Sequence, residues 1–351
     1  MYTFWLTPTW ASAQPNVPCI IGGYTNDPGC AGEPANMMVW NAFVSNVAIR
    51  YNGVINYYEL WNEPNCPCEY NGSIQYMVQM AAAANTIIHK INPKAILIAP
   101  GVERGNTGTG GAFGGWTKDF LTDGGSQYVQ ALAWHGYICN ESEGFSACAN
   151  IGCYGGSTAI DCAGTPLIYQ IVQLESIAKE YNVVPNLWNT EGGWLTNSEL
   201  SNTTMQAAFL SRWYIIQASY NVTSAIWWEW GAPPISASTA YGSLHYLNNT
   251  LTPAGKAYYQ VGKWLIGSSI QACKTTNSSA ELFTCPIKLL NGTLDMLAFA
   301  GNTPIAYQVN TIKFNRYQNL NGSVNAINGN FIPIGIEPIL LENATKGAGN
   351  A

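Results

Sequence analysis

The chain is poor in charge. Only 10% of its 351 residues are Asp, Glu, Lys or Arg, against about 25% in an ordinary soluble protein. The 14 Lys and Arg residues are scattered singly, and the formal net charge is −6. Nucleic acids and anionic membranes are bound through clustered basic residues, so neither is predicted as a partner. No apolar run reaches the roughly 18 residues of a membrane-spanning helix, and no membrane span is predicted.

Histidine is also rare: the three His residues lie far apart in the sequence, and no Cys-x-x-Cys pair recurs among the ten cysteines. Metal ligation by cysteine is therefore the weaker interpretation, and neither a metal nor another cofactor is predicted. Disulfides that join surface loops are favoured instead. Their pairing stays open, because a Cys66–Cys68 bridge would be unusually tight and each of these residues could pair elsewhere.

Asparagine sequons, like the cysteines, are typical of a secreted protein. Nine Asn-x-Ser/Thr sites occur, at Asn71, Asn140, Asn202, Asn221, Asn248, Asn277, Asn291, Asn321 and Asn343. Such sites accept glycans in proteins that pass through a secretory pathway. The sequence therefore predicts a secreted, extracellular glycoprotein with disulfide bonds.

Short β-branched and aromatic runs alternate with helical patterns, which is typical of repeated βα units around a parallel sheet. Strands are predicted at 2–6, 57–62, 95–99, 129–134, 186–190 and 224–228, and helices at 36–51, 73–91, 116–122, 166–181, 203–220 and 253–266. After residue 268 the helical pattern stops, and short alternating runs separated by Asn-Gly and Pro predict β-hairpins. The predicted domains are an α/β domain at 1–267 and a sandwich-like β domain at 268–351.

Functional-looking residues follow almost every predicted strand at its C-terminal end. They are Trp10, Glu63, Glu103, His135, Glu191 and Trp230. An open doubly wound sheet is the alternative architecture, but convergence of many strand ends on one site is typical of a barrel mouth, where the loops meet. The predicted fold is therefore a (β/α)8 barrel of the TIM type.

Two glutamates stand in aromatic motifs, Glu63 in YELWNEPN (58–65) and Glu191 in WNTEGGW (188–194). Strand alternation places Glu59 and Glu63 on the same side, and Pro64 ends the strand there. Two carboxylates at one aromatic-lined mouth suit cleavage of a glycosidic bond, because one protonates the leaving oxygen and the other acts on the anomeric carbon. The structural alternative is that each glutamate caps a barrel end or pairs with an arginine.

The motifs LWNEPN, WHGY and WNTEGGW occur in the order found in clan A glycoside hydrolases, and the chain resembles families 39 and 5 of that clan most closely. LTPTWAS (6–12) is similar to the end of the third barrel strand, and LTPAGKAYYQVGKWLIG (251–267) to the closing helix. The resemblance covers nearly all of 1–267. It implies a retaining enzyme that acts on an oligo- or polysaccharide, with its acid/base after strand 4 and its nucleophile after strand 7.

Carried over residue by residue, the resemblance implies Glu63 as acid/base and Glu191 as nucleophile. Asn62 would bind the sugar 2-hydroxyl, while His135 and Tyr137 match the His-x-Tyr that follows strand 6. A tryptophan after strand 8 stacks on the sugar in such enzymes. Either Trp228 or Trp230 fits that role, with ordinary barrel packing as the alternative for each.

Further side chains are candidates for the substrate cleft. Glu103 is expected either to line the cleft or to pair with Arg104, and Glu59 to be a structural partner. Sugar stacking is expected at Trp10, Trp116, Trp194 and Trp230.

The motif order also serves to count strands. With Glu63 after the fourth strand, the first two strands of the barrel have no counterpart in the sequence, and neither has the family's arginine after strand 2. An incomplete barrel leaves unpaired edges. Three explanations stay open: a start further upstream, which would agree with the lack of a visible signal peptide; a second copy of the chain that closes the barrel as a homo-oligomer; or closure by the C-terminal segment. The alternative function is a non-catalytic carbohydrate-binding or structural glycoprotein derived from a glycosidase.

Overall fold

The computed structural model of the chain describes residues 1–21, 24–103, 114–137, 167–183, 186–193, 202–231, 242–246, 248–275, 282–301 and 304–343. The chain divides into two compact units. The first comprises Met1–Gly136 and Gln170–Glu191, and the second comprises Tyr137–Tyr169 and Gly192–Ala351. Within the described ranges, no helix is long and apolar enough to cross a membrane.

The α/β part of the chain contains the predicted strands and helices, together with a hairpin that the sequence did not predict. The strands are β1 (Tyr2–Thr3), the hairpin strands β2 (Cys19–Ile21) and β3 (Tyr24–Asn26), β4 (Tyr57–Glu59), β5 (Ile96–Ile98), β6 (Leu132–His135), β7 (Leu187–Gly192) and β8 (Ser224–Trp227). The helices are α1 (Met37–Arg50), α2 (Ile74–Ile91), α3 (Gly115–Thr122), α4 (Leu167–Glu180), α5 (Thr203–Ser219) and α6 (Pro253–Leu265).

Apart from the antiparallel hairpin of β2 and β3, the strands of the first unit are parallel and follow one another in chain order. β1 pairs with β4, and β4 pairs with β5. An isolated parallel bridge from Ile98 to Ala131 links β5 to the start of β6, and β6 pairs with β7. Successive parallel neighbours joined by helices are the arrangement of a βα barrel, and they bring the carboxyl ends of four consecutive strands to the same edge.

Helix starts follow the capping residues that the sequence supplies. The Asn36 side chain accepts hydrogen bonds from the backbone N–H groups of Met38 and Val39, and the Ser73 hydroxyl accepts one from Tyr76. Asn, Ser and Thr satisfy the free N–H groups of a first helical turn. α1 and α2 therefore begin within one residue of their predicted starts.

The second unit contains β8, α5, α6 and the C-terminal β region. The ring of Tyr214 in α5 lies 5.5 Å from that of Tyr258 in α6, so these two helices pack through aromatic side chains. The C-terminal strands are β9 (Ser269–Ile270), β10 (Lys274–Thr275), β11 (Leu282–Lys288), β12 (Leu294–Ala300), β13 (Ile305–Gln308), β14 (Arg316–Gln318), β15 (Val324–Ala326), β16 (Phe331–Ile334) and β17 (Ile339–Glu342).

The C-terminal strands are antiparallel. One sheet has the order β10-β11-β12-β17-β14-β15, with β9 beside β11, and a second sheet consists of β13 and β16. Side chains from both sheets share one apolar core, which includes Ala298, Ile332 and Leu341. The helical pattern stops at Gly267, whose φ of +73° lies in the left-handed region that favours glycine. The predicted boundary at 267/268 stays a prediction, since α5, α6 and the β region belong to the same compact unit.

Three disulfide bonds lie within the described residues. They join Cys19 to Cys30, Cys66 to Cys68, and Cys273 to Cys285. The Cys66–Cys68 bridge forms although its short spacing made it seem unfavourable from the sequence. Cys139, Cys148, Cys153 and Cys162 lie outside the described residues.

Candidate active site

Glu63 stands at the carboxyl end of the segment that continues β4. Its backbone N–H donates to the Gly101 carbonyl at 2.7 Å, and its own carbonyl accepts from the Cys66 N–H at 2.9 Å. Its φ is +42°, a left-handed conformation that non-glycine residues rarely adopt. Residues held in such conformations by their surroundings cluster at functional sites. The backbone therefore marks Glu63 independently of its side chain.

The next strand ends are joined in the same way. The His135 N–H donates to the Val102 carbonyl at 2.9 Å, and the Gly136 N–H donates to the Glu191 carbonyl at 2.7 Å. Gly136 is required there, because a Cβ at this position would lie 2.1 Å from the Asn189 amide nitrogen. These bonds continue the sheet ladder to its last residues and fix the backbone beneath the His135 and Glu191 side chains.

The Glu63, His135 and Glu191 side chains meet at this edge. Nδ1 of His135 lies 2.6 Å from Oε1 of Glu63 and 3.7 Å from Oε2 of Glu191. The imidazole is 1% exposed, whereas the carboxylates are 19% and 22% exposed. Burial lowers the pKa of His135, but the Glu191 charge and the hydrogen bond to Glu63 outweigh it and raise the pKa to about 9. His135 is therefore a buried cation at neutral pH that faces two accessible carboxylates.

The two carboxylates are also close to each other. One oxygen of Glu63 and one of Glu191 lie within 4.8 Å, with a ring nitrogen of His135 within the same distance of both. No other described trio of acidic, histidine or cysteine side chains is placed closely enough to hold a metal ion. Nδ1 of His135 and Oε1 of Glu63, however, are already joined to each other in a hydrogen bond of 2.6 Å. The arrangement fits a hydrogen-bonded catalytic group better than a metal centre.

Glu59 lies beneath this group and is almost completely buried. The Thr3 hydroxyl donates to its Oε2 at 2.7 Å. Burial raises the pKa of Glu59, while His135, Thr190 and Thr3 lower it. Glu59 and Glu63 therefore face the same histidine, as the strand alternation predicts.

A fourth carboxyl group, which the sequence did not single out, lies behind Asn62. The Trp5 indole N–H donates to Oε2 of Glu69 at 2.9 Å, and the Trp61 indole N–H donates to the Glu69 carbonyl at 3.0 Å. Burial and the Glu63 charge raise the pKa of Glu69 to about 7, while hydrogen bonds from Trp5 and Asn62 lower it. Glu69 follows directly on the Cys66–Cys68 bridge. It therefore links this loop to the residue that precedes the predicted acid/base.

Glu103 also lies close to the group. The Asn65 side-chain amide donates to the Glu103 carbonyl and accepts from the Glu103 backbone N–H, at 3.0 Å each. Burial raises the pKa of Glu103, as does the Glu63 charge, whereas His135 lowers it. The carboxyl group of Glu103 is thus within electrostatic reach of Glu63. Arg104, its alternative partner, lies outside the described residues.

The aromatic candidates divide into exposed and buried residues. Trp10 is 79% exposed and borders a cavity of about 890 Å³ in the first unit, lined mainly by apolar side chains that include Trp5, Trp40, Phe43 and Trp61. Trp116 was predicted to stack on sugar but is buried and stacks on Phe120 at 5.7 Å, so it is a core residue. Trp194 lies outside the described residues.

The remaining candidates belong to the second unit. Tyr137 comes two residues after His135 and is half-buried. Trp228 and Trp230 are both exposed, and the ring of Trp230 lies 4.5 Å from that of His245. The tryptophan that packs in the interior is Trp227. Neither Trp228 nor Trp230 is therefore a packed core residue, and either of them could be the tryptophan that stacks on sugar.

No protein-family sequence model matches the chain, and no curated protein sequence matches it. Its three-dimensional structure is similar to a family 39 glycoside hydrolase from the gut symbiont Bacteroides cellulosilyticus WH2, with a TM-score of 0.65 and 18% identity over 92% of this chain and 64% of that one. A family 39 β-xylosidase from Caulobacter crescentus gives a TM-score of 0.59, with 13% identity over 94% of this chain and 75% of the other.

A third similar structure is CelM2, a bifunctional glucanase-xylanase from a metagenome library, with a TM-score of 0.57 and 13% identity over 90% of this chain and 70% of the other. The chain thus spans just under two thirds of the first of these structures. The three similarities show that the chain has the fold of these glycoside hydrolases. The predicted clan A fold, similar to that of family 39, is therefore confirmed.

Proposed function

We propose that the chain is a retaining glycoside hydrolase that cleaves β-linked glycosides or polysaccharides. The observation that carries the proposal is the pair of carboxylate oxygens, from Glu63 and Glu191, that lie within 4.8 Å at the carboxyl edge of the parallel sheet. Retaining enzymes hold their two carboxyl groups about 5–5.5 Å apart, and inverting enzymes about 6.5–9.5 Å. The observed approach supports the shorter separation and hence a double displacement.

In the first step, the Glu191 carboxylate attacks the anomeric carbon as the bond to the leaving oxygen breaks. Glu63 transfers a proton to that oxygen, which departs as an alcohol, and the sugar becomes covalently attached to Glu191. In the second step Glu63 accepts a proton from water. The resulting hydroxide oxygen bonds to the anomeric carbon, and Glu191 leaves as a free carboxylate.

His135 supports both steps because it faces both glutamates. Its cationic ring stabilises the Glu191 carboxylate before attack and when it is released. Across its 2.6 Å contact with Glu63, the protonated Nδ1 donates toward the carboxylate and can resupply the proton that the acid/base transfers. A positioned proton donor or acceptor contributes roughly 10²–10⁴-fold to such reactions.

The substrate contacts are part of the same proposal. Asn62 binds the 2-hydroxyl of the sugar, and Glu103 lines the cleft. The exposed Trp10 and either Trp228 or Trp230 stack on sugar rings, since tryptophan offers a large apolar face with a polar edge. Tyr137 is assigned near the nucleophile. The resemblance of the motifs supports these roles, and the exposure of the three tryptophans agrees with them.

The protein is proposed to be extracellular and glycosylated, supported by the three disulfide bonds among the described residues and the nine sequons. Closure of the barrel by a second copy of the chain also stays a proposal. Analytical ultracentrifugation of the purified chain tests it, and a monomer at micromolar concentration would exclude it.

Hydrolysis of a panel of aryl β-glycosides, extended to xylan, mannan and β-glucan, tests the function. Wild type is expected to turn over at least one member, and Glu191→Ala is expected to lose about 10⁴-fold or more in kcat. Glu180→Ala is the matched control, because Glu180 is an exposed helix residue paired with Lys118. Binding without turnover across the whole panel would contradict the proposal and favour a non-catalytic carbohydrate-binding glycoprotein.

A further inference from the structure

Two buried oxygen atoms beneath the catalytic group have no partner in good hydrogen-bond geometry. Oε1 of Glu59 is one, and the other is the Thr190 hydroxyl, which is near enough to Glu59 to lower the pKa of its carboxyl group. The second carboxyl oxygen of Glu59 is satisfied by Thr3 at 2.7 Å. A buried polar atom without a partner costs roughly 1–3 kcal/mol, so two such atoms next to an active site need an explanation.

Both oxygen atoms lie near Nε2 of His135, the ring nitrogen on the side away from Glu63. A Cβ on Gly101 would lie 2.7 Å from Oε1 of Glu59, 2.7 Å from Nε2 of His135 and 2.9 Å from Oγ1 of Thr190. The three atoms therefore surround one spot beside the glycine backbone. Any side chain at residue 101 would fill this spot, and glycine leaves it to the polar groups.

We propose that Glu59 is a positioning residue for His135. Its free carboxyl oxygen and the Thr190 hydroxyl hold the Nε2–H side of the ring, which leaves Nδ1 directed at Glu63. Because Nε2 keeps its proton, Nδ1 is the nitrogen that exchanges a proton with the acid/base.

The charges around the ring agree with this assignment. Glu59, Glu63 and Glu191 each favour the protonated imidazole, and His135 in turn lowers the pKa of Glu103. Glu63 and Glu191 approach Nδ1, where substrate reacts. Glu59 approaches from the opposite, buried side and touches no reacting atom. Groups that orient a catalytic or metal-binding histidine in this way fix its tautomer and ring angle.

The catalytic consequence rests on the proposed function, but the ring assignment has a test that does not. In protein labelled with ¹⁵N-histidine, the ring nitrogen shifts of His135 report the tautomer and the pKa, and His135→Gln identifies its signals among the three histidines. Above the pKa, wild type is expected to carry the remaining proton on Nε2. Glu59→Met, which removes both acceptor atoms, is expected to shift the proton toward Nδ1. Glu59→Gln keeps an acceptor and is expected to preserve the wild-type tautomer while lowering the pKa of His135.

Kinetics provides the second measurement. We expect Glu59→Met to lower kcat about 10- to 100-fold with little change in KM. Glu59→Gln should keep most of the wild-type kcat, but its pH–rate profile should fall on the alkaline side at a lower pH than that of wild type. Thr190→Val keeps the side-chain shape and removes one hydroxyl, so a loss of about fivefold is expected even where Glu59→Met does not fold. Glu33→Gln, at a carboxyl that accepts from the Ser73 backbone N–H, is the matched control.

The outcomes separate the two proposals. A proton on Nδ1 in neutral wild-type His135, or an unchanged tautomer in both Glu59→Met and Thr190→Val, would overturn the role of Glu59. An Nε2 proton in wild type that is lost in the variants supports that role even where no glycoside is hydrolysed. In that case only the proposed function fails.

Discussion

The imidazole of His135 lies 2.6 Å from the Glu63 carboxylate and 3.7 Å from that of Glu191, although 72 and 56 residues of chain separate them. The contact exists because the carboxyl ends of β4, β6 and β7 lie at the same edge of the parallel strands. A single buried cation thus holds both carboxylates at neutral pH. This relationship makes His135 the residue whose loss should disturb both halves of the reaction.

We expect His135→Gln to lower kcat by about 10²-fold or more, because the acid/base loses its proton partner and the nucleophile its counter-charge. The effect should be present throughout the pH range below about 9, where wild-type His135 is charged, and should shrink above it. His89→Gln is the control, since His89 lies on α2 and its ring nitrogen Nε2 is hydrogen-bonded to the Ala95 carbonyl at 2.9 Å. Equal pH–rate profiles for wild type and His135→Gln would contradict the assigned role.

Glu69 is expected to act on substrate recognition through Asn62. Above pH 7, where Glu69 is charged, Glu69→Gln should weaken the discrimination between an aryl glycoside and its 2-deoxy analogue, since Asn62 is proposed to bind the 2-hydroxyl and loses a charged partner. A charge-assisted hydrogen bond contributes roughly 1.5–3 kcal/mol, so the ratio of the two kcat/KM values should fall about tenfold. Glu175→Gln on the exposed face of α4 should leave the ratio unchanged. An unaltered ratio in Glu69→Gln would disconnect Glu69 from Asn62.

Arg212 is expected to be a main stabilising residue of the second unit. It lies in α5, is completely buried, and donates to the carbonyls of Ala300 at 2.6 Å and Ile336 at 2.7 Å, with its guanidinium 5.1 Å from the Phe299 ring centre. Arg212→Ala should lower the free energy of unfolding by about 3–5 kcal/mol, because the carbonyls that it serves lose a buried partner. Chemical denaturation measures the change.

The matched control for this substitution is Arg50→Ala. Arg50 is exposed at the end of α1 and lies over the Tyr51 ring, so its loss should cost less than about 0.5 kcal/mol. Similar denaturation midpoints for Arg212→Ala and Arg50→Ala would show that the buried guanidinium adds no net stability.

Stability is expected to fall as the pH rises from 5 to 9. Burial and neighbouring charges raise the pKa of Glu69 from 4.5 to about 7 and that of Asp295 from 3.8 to about 6. A carboxyl whose pKa is higher in the folded state favours folding while it is protonated, and this contribution is lost as the pH rises toward the folded pKa. For His135, whose pKa rises from 6.5 to about 9, the contribution is complete below 6.5 and is lost as the pH approaches 9.

All three groups therefore change stability in the same direction. Differential scanning calorimetry should give a higher Tm at pH 5 than at pH 9, and Glu69→Gln should flatten the part of the curve below pH 7. A Tm that increases from pH 5 to pH 9 would contradict the assigned pKa directions.

Much of the α/β part could be predicted from the sequence because its signals are local. Gly192 is the last residue of β7, and the side chains of Asn36 and Ser73 cap the first turns of the helices that follow them. Motif order also placed Glu63, His135 and Glu191 at one edge, since parallel strands in chain order bring their carboxyl ends together.

The missed features depend on contacts between distant segments. Trp5 donates a hydrogen bond to Glu69 from 64 positions away, and no local pattern shows this pairing. Trp116 resembles an exposed stacking residue in sequence, but Phe120 one helical turn later covers its ring. The sequence also does not show that Oε1 of Glu59, Nε2 of His135 and the Thr190 hydroxyl meet beside Gly101, because the four residues lie on or just after different strands.

Mass spectrometry of a trapped intermediate tests the central claim most directly. A 2-deoxy-2-fluoro glycoside with a good leaving group slows both steps, and hydrolysis of the intermediate more than its formation, so a retaining enzyme accumulates the glycosyl-enzyme. We predict one added fluoroglycosyl group per chain, located on the peptide that contains Glu191 and absent from Glu191→Ala. An adduct on any other residue, or turnover that releases the inverted sugar without an adduct, would contradict the proposed pair.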